Sequence, residues 1–231
     1  MISKYPLIVQ EETKSPVAEA YRILRTNISY CKTDGQLKTL MFTSSGSGEG
    51  KSFTIANMAV SLAMAGKRVI IVDCDFRNPM QQKIFKTGRR GGVTSILTDK
   101  GAQIDDFIAE TDVKNLFLLA SGPVPPNPSE LLGSEKMNEL IAYLRERFSY
   151  VIFDVPPVIA VTDACVLVSK LDGVVLVLDI KTIRPQMAQK AKELILKARG
   201  HLLGVVLNRA EVEVDSQYYN YYTNQPKAVG K

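Results

Sequence analysis

The chain has no tryptophan, one histidine and three cysteines among its 231 residues. His201, being alone, offers neither a histidine base nor a histidine-built metal site. Cys31, Cys74 and Cys165 are odd in number and lack metal-ligand spacing, which points to reduced thiols in a cytosolic protein. No apolar run reaches the roughly 18 residues that a membrane span requires. The opening residues, Met1-Ile2-Ser3-Lys4-Tyr5-Pro6, contain no apolar segment of the kind a signal peptide carries. Charge of one sign is also scarce. A formal +5 fits polyphosphate ligands or an anionic surface and gives no argument for a nucleic-acid partner. What the chain does have is 45% apolar residues, enough for one large core in a chain too short for two independent ones.

Apolar runs alternate with helical patterns. Strands are expected at Leu40–Thr43, Val69–Asp73, Leu116–Ala120, Tyr150–Asp154, Val174–Asp179 and Leu203–Asn208, with helices near 52–65, 129–147, 162–170 and 184–199. The strand runs are continuously apolar, as in a parallel sheet covered on both faces. This predicts a doubly wound, mostly parallel α/β sheet with its ligand site at the carboxyl ends of the strands. Residues 36–210 form that core. Residues 1–35 form an N-terminal arm, in which Ser15-Pro16 reads as N-cap and first position of a helix running to about Lys32. Residues 211–231 form a polar tail. Asn127, Pro128 and Glu130 read as N-cap, N1 and N3 of a further helix, and Thr162-Asp163 as the start of another.

The most informative stretch is Ser45-Gly46-Ser47-Gly48-Glu49-Gly50-Lys51-Ser52, between the first strand and the helix that begins near Ser52. A small-residue loop at a helix N-terminus aims several backbone N–H groups at one point, which makes a phosphate cradle. In this pattern Lys51 reaches the β and γ phosphates and Ser52 ligates Mg²⁺, so Gly46 through Phe53 are the candidate nucleotide contacts. Ser45 stands where the first glycine of G-x-x-x-x-G-K-[ST] belongs, and it is small enough to be tolerated.

Two further strands end in carboxylates: Asp73 and Asp75 after Val69–Val72, and Asp154 after Val151–Phe153. Acidic groups at the ends of apolar strands need a cation, and Mg²⁺ held by ATP phosphates is a natural one. Asp154 and one of the paired aspartates are expected on that ion. The other is left to orient or deprotonate an attacking hydroxyl, with Asp73 and Asp75 pointing the same way if the strand continues.

Taken together, these motifs resemble the bacterial tyrosine kinases of the capsular and exopolysaccharide type, the soluble kinase subunits of Gram-positive bacteria. The loop matches the family's Walker A motif, Val69–Arg77 its Walker A′ and Val151–Asp154 its Walker B. The resemblance implies a P-loop NTPase fold of the MinD/ParA-like branch, with ATP and Mg²⁺ as cofactors. It implies that Lys51 steadies the transferring phosphate, Ser52 and Asp154 hold Mg²⁺, Asp75 contributes through water and Asp73 activates the tyrosine hydroxyl. Asn208 and Arg209 fall where related ATPases contact adenine. The spacing Glu19-x-x-Arg22-x-x-Arg25 resembles the family's motif for joining subunits into a ring, although from the residues alone a solvated face with one Glu–Arg pair is the favoured explanation.

Four of the nine tyrosines, Tyr218, Tyr219, Tyr221 and Tyr222, crowd into the tail, where they read as phosphoacceptors of a neighbouring subunit's site. From Ala210 the tail reaches at most about 40 Å. Four phosphates would turn the formal +5 into about −1 to −3, enough to eject the tail and loosen an assembly. The resemblance further implies a membrane-anchored activator whose cytoplasmic tail docks on the kinase, a dedicated tyrosine phosphatase, and control of capsular or exopolysaccharide synthesis and export. The chain itself is then cytoplasmic and drawn to the inner face of the membrane only through that partner. The competing reading is a partitioning or cell-division ATPase switch of the same superfamily. Those proteins carry an extra lysine after the first loop glycine, where this chain has Gly46. A scaffold that uses ATP only to hold a ring together is a third.

Overall fold

The computed structural model describes residues 7–31, 37–88 and 91–210. Seven strands make one sheet: β1 (Thr39–Ser44), β2 (Val69–Asp73), β3 (Ile108–Glu110), β4 (Leu116–Leu119), β5 (Tyr150–Asp154), β6 (Gly173–Asp179) and β7 (Leu202–Asn208). Their order across the sheet is β3-β4-β2-β5-β1-β6-β7, parallel throughout except for β3. The doubly wound parallel sheet is therefore as the sequence predicts. The strand that the apolar pattern does not reveal is β3, three residues pairing antiparallel with β4 at the edge.

Alternate residues of each strand feed two cores. On one face Leu40, Phe42, Val69, Ile71 and Ile152 meet Ile55, Met58 and Ala59 of α3 (Lys51–Met64). On the other, Met41, Ile70, Val72 and Phe153 meet Leu140 and Leu144 of α7 (Glu135–Arg147) and Leu167 of α8 (Asp163–Val168). Burial on both faces is why these strands read as unbroken apolar runs. Helix α3 is buried nearly all round because α1 (Ile8–Glu11) and α2 (Pro16–Tyr30) cover its outer side. Ser15 caps α2 by accepting the Ala18 N–H, as its sequence predicts.

Between β2 and β3 lie α4 (Gln81–Ile84) and α5 (Val93–Thr98), both too short to show a helical period. The single helix expected at 129–147 is two, α6 (Pro128–Gly133) and α7. Ser134 divides them: its backbone is extended, and its hydroxyl accepts the Met137 N–H to start α7. Asn127 does not cap α6 with its side chain. It donates instead to the Glu130 carboxylate. The last helix, α9 (Pro185–Lys197), packs beside β7.

Candidate active site

The loop Ser45–Gly50 joins β1 to α3 at the carboxyl end of the sheet, next to the ends of β2 and β5. Gly48 and Gly50 take φ of 81° and 84°, a region that side chains avoid. A Cβ at Gly50 would also land on the Asn208 amide, which donates to the Glu49 carbonyl at 2.9 Å. Arg209 donates to the Gly48 carbonyl at 3.3 Å and pairs with Asp179. The end of β7 thus clasps the loop from outside. The Glu49 carboxylate turns inward and accepts the Ser45 N–H at 2.8 Å, the Ser45 hydroxyl at 2.6 Å and the Gly46 N–H at 3.1 Å. Of Glu49, the backbone N–H is what remains to offer a ligand.

Below the loop, two carboxylates converge on one ammonium. Lys51 pairs with Oδ1 of Asp154 and with Asp75 at 3.3 Å. Burial works against the charged lysine, but Asp154 and Asp75 outweigh it and hold Lys51 above its ordinary range. A cleft of about 470 Å³ opens here, lined by Gly46–Phe53, Asp75, Arg77, Pro156 and Arg209 among others.

Asp73 and Asp75 do not share one strand face, because β2 ends at Asp73 and the chain turns just after Asp75. Asp73 is fully buried and accepts backbone N–H groups from Asp75 at 3.2 Å, Met80 at 3.2 Å and Gln81 at 3.0 Å. Burial, with the adjacent Asp154 carboxylate, pushes its pKa up to about 8. Asp75 faces the cleft; burial raises it too, against the pull of Lys51.

Two residues emerge that the sequence patterns did not single out. Arg77 reaches into the cleft while its Nε donates to fully buried Asp163 at 3.3 Å. Gln81, also fully buried, donates to Asp154 at 2.6 Å. Neither pairing is visible before the turn after β2 is folded.

Among the described residues no three His, Cys, Asp or Glu side chains cluster as a complete metal cage. Asp75, Asp154 and the Ser52 hydroxyl fit Mg²⁺ instead, which takes one or two carboxylates and completes its shell with phosphate and water. On α2, Glu19 pairs with Arg22 at 2.7 Å, and Arg22 also donates to the Thr13 carbonyl. Arg25 donates from Nη1 to the Ser61 carbonyl of α3 at 2.7 Å and to its hydroxyl at 3.3 Å. Tyr218, Tyr219, Tyr221 and Tyr222 lie outside the described residues.

Residues 37–197 match the AAA domain family AAA_31. The chain is 40% identical over 217 residues to the tyrosine-protein kinase YwqD of Bacillus subtilis, covering 94% of this chain and 91% of that one. It superposes on the crystal structure of the chimerical protein CapA2B2 with a TM-score of 0.84 at 40% identity, over 88% of this chain and 89% of that one. The septum site-determining protein MinD of Pyrococcus horikoshii, solved with Mg-ADP, shares the fold at a TM-score of 0.62 and 20% identity, over 82% and 78% of the two chains. With such identity along nearly its whole length, the chain belongs to the family of bacterial tyrosine-protein kinases.

Proposed function

We propose that this kinase uses ATP and Mg²⁺ to phosphorylate Tyr218, Tyr219, Tyr221 and Tyr222 in the tail of a neighbouring copy. The observation that carries the reading is the meeting of Lys51, Asp75 and Asp154 beneath a loop of backbone donors. Bound Mg-ATP supplies the phosphoryl group and the charge compensation for its transfer. Lys51 leaves its carboxylates to donate to phosphate oxygens. Asp154 and Ser52, with Asp75 through water, then serve the metal side. Asn208 and Arg209 hold the loop by its carbonyls, and Arg209 borders the space open to the base.

Asp73 takes the tyrosine proton. A pKa raised to about 8 suits a base that works near neutral pH. Its burial means that the Phe76–Met80 turn must open first, a movement that acceptor or activator binding would drive.

The partners follow from the same reading. A membrane-anchored activator docks its cytoplasmic tail on the kinase and draws it to the inner face of the membrane. Copies assemble into a ring through α2, where Val17 and Ile23 stand exposed beside Glu19 and Arg22. A tyrosine phosphatase resets the tail, and the cycle governs capsular or exopolysaccharide synthesis and export.

The test mixes two chains with Mg-ATP and the activator tail: Lys51→Met with an intact tail, and an active chain with its four tail tyrosines changed to phenylalanine. Phosphate on the tail of the Lys51→Met chain is the expected result. ATP hydrolysis with no phosphate on that tail would replace this reading with an ATPase switch.

A further inference from the structure

Gln81 has no part in the chemistry above, yet it bonds to Asp154, Asp73 and the backbone of Ser52. The side chain is fully buried. Its amide donates to Oδ2 of Asp154 at 2.6 Å and to the Ser52 carbonyl at 3.1 Å, which uses both amide protons. Its backbone N–H donates to Oδ2 of Asp73 at 3.0 Å. One residue therefore ties together the end of β2, the end of β5 and the first turn of α3. The amide oxygen Oε1, by contrast, is buried without a donor.

That arrangement is a poor choice for packing alone. A methionine would fill the same volume without stranding an acceptor, and an orphaned buried amide oxygen carries a desolvation cost. It is a good choice for holding a carboxylate. Asp75 and Asp154 share one ammonium, and Lys51 takes Oδ1 of Asp154. Oδ2 of Asp154 is left to Gln81. When Lys51 turns to phosphate, a carboxylate fixed by one oxygen still presents the other in a single orientation. A freely rotating carboxylate would fall back on Lys51.

We propose that Gln81 is the positioning residue of the metal side of this site. It locks Oδ2 of Asp154, couples that carboxylate to the turn that carries Ser52, and keeps Oε1 as an acceptor of the kind a coordinated water needs. The proposal rests on the assignment of Asp154 and Ser52 to the metal, made under the proposed function.

The test uses the full chain and Mn²⁺ as the probe. Mn²⁺ affinity in the presence of ADP is read from the electron paramagnetic resonance signal of the free ion, and ADP affinity is measured separately in EDTA. Gln81→Met keeps the volume and removes the polar atoms, whereas Gln81→Asn keeps the polarity and loses the reach. Both are expected to weaken Mn²⁺ binding about tenfold, as outer partners of metal ligands do, with ADP affinity in EDTA unchanged. In turnover, the Mg²⁺ concentration for half-maximal rate rises more than the rate at saturating Mg²⁺ falls. Gln81→His, whose Nε2 reaches about as far as the glutamine amide, restores most of the Mn²⁺ affinity.

Parent-like Mn²⁺ affinity in either weakened variant overturns the proposal. So does an equal loss of ADP affinity in EDTA, which marks a packing defect. Asp154→Asn is the control, and parent-like Mn²⁺ binding there removes both this inference and the metal assignment. A parent chain that binds Mn²⁺ with ADP, loses it in Gln81→Met and labels no tyrosine contradicts the kinase cycle alone.

Discussion

Glu49 and Ser45, at opposite ends of one turn of loop, are joined by two bonds that Ser45 donates and the Glu49 carboxylate accepts: hydroxyl to Oε1 at 2.6 Å and N–H to Oε2 at 2.8 Å. Both residues are buried. A glycine at position 45 would satisfy the N–H bond and forfeit the hydroxyl. The departure from the strict loop pattern is thus matched inside the loop, where Ser45 shares the charge of a carboxylate that would otherwise lie close to incoming phosphates. Ser45→Ala should cost about 2 kcal/mol, the range of a hydrogen bond to a charged group, with looser ADP binding. Urea denaturation and an ADP titration check the two effects.

Arg77 and Asp163 form a lopsided pair, with the arginine side chain half-exposed and the aspartate fully buried. The arginine keeps contact with solvent, whereas the carboxylate is shut away from it. Removing the cation alone leaves an uncompensated buried anion, so Arg77→Ala should cost about 3 kcal/mol. Adding Asp163→Asn should recover most of that loss. Equal and additive losses in a double-mutant cycle would show that the two do not cooperate.

Asp73 gives the nucleotide-free protein a pH signature. Its pKa is about 8 in the folded chain, against an ordinary value of 3.8. The folded state therefore holds a proton that the unfolded chain releases, and the resulting stability is complete below the ordinary value and lost as pH rises through about 8. Asp73→Asn cannot titrate. Whatever fixed loss it brings, its stability relative to the parent should improve from pH 5 to pH 8. A difference that stays flat across that interval, measured by denaturation at each pH, would contradict the shift.

Where the sequence speaks clearly, the cause is burial on two faces. Val69–Asp73 and Tyr150–Asp154 are legible residue for residue because each is a central strand with no solvent face to interrupt it. β3 is illegible because three residues at an edge carry no period. The break at Ser134 hides because both of the helices it separates are individually well formed in sequence.

The phosphate loop and the strand-end carboxylates are visible through their spacing, but the contrast between the surroundings of Asp73 and Asp75 is not. It is decided by where β2 stops and by which backbone N–H groups the next turn supplies. Gln81 and Arg77 are hidden for the same reason: each acquires meaning only from a partner more than seventy residues away in the chain. Arg25 gains on folding a bond to the Ser61 carbonyl that its place in the charge pattern does not reveal.

The most direct measurement is phosphate mapping, by intact mass and by peptides, on the chain incubated with Mg-ATP and the activator tail, beside a Lys51→Met chain treated identically. The account predicts phosphate on Tyr218–Tyr222 in the parent and none in Lys51→Met. ATP consumed by the parent while those tyrosines stay unmodified would contradict it.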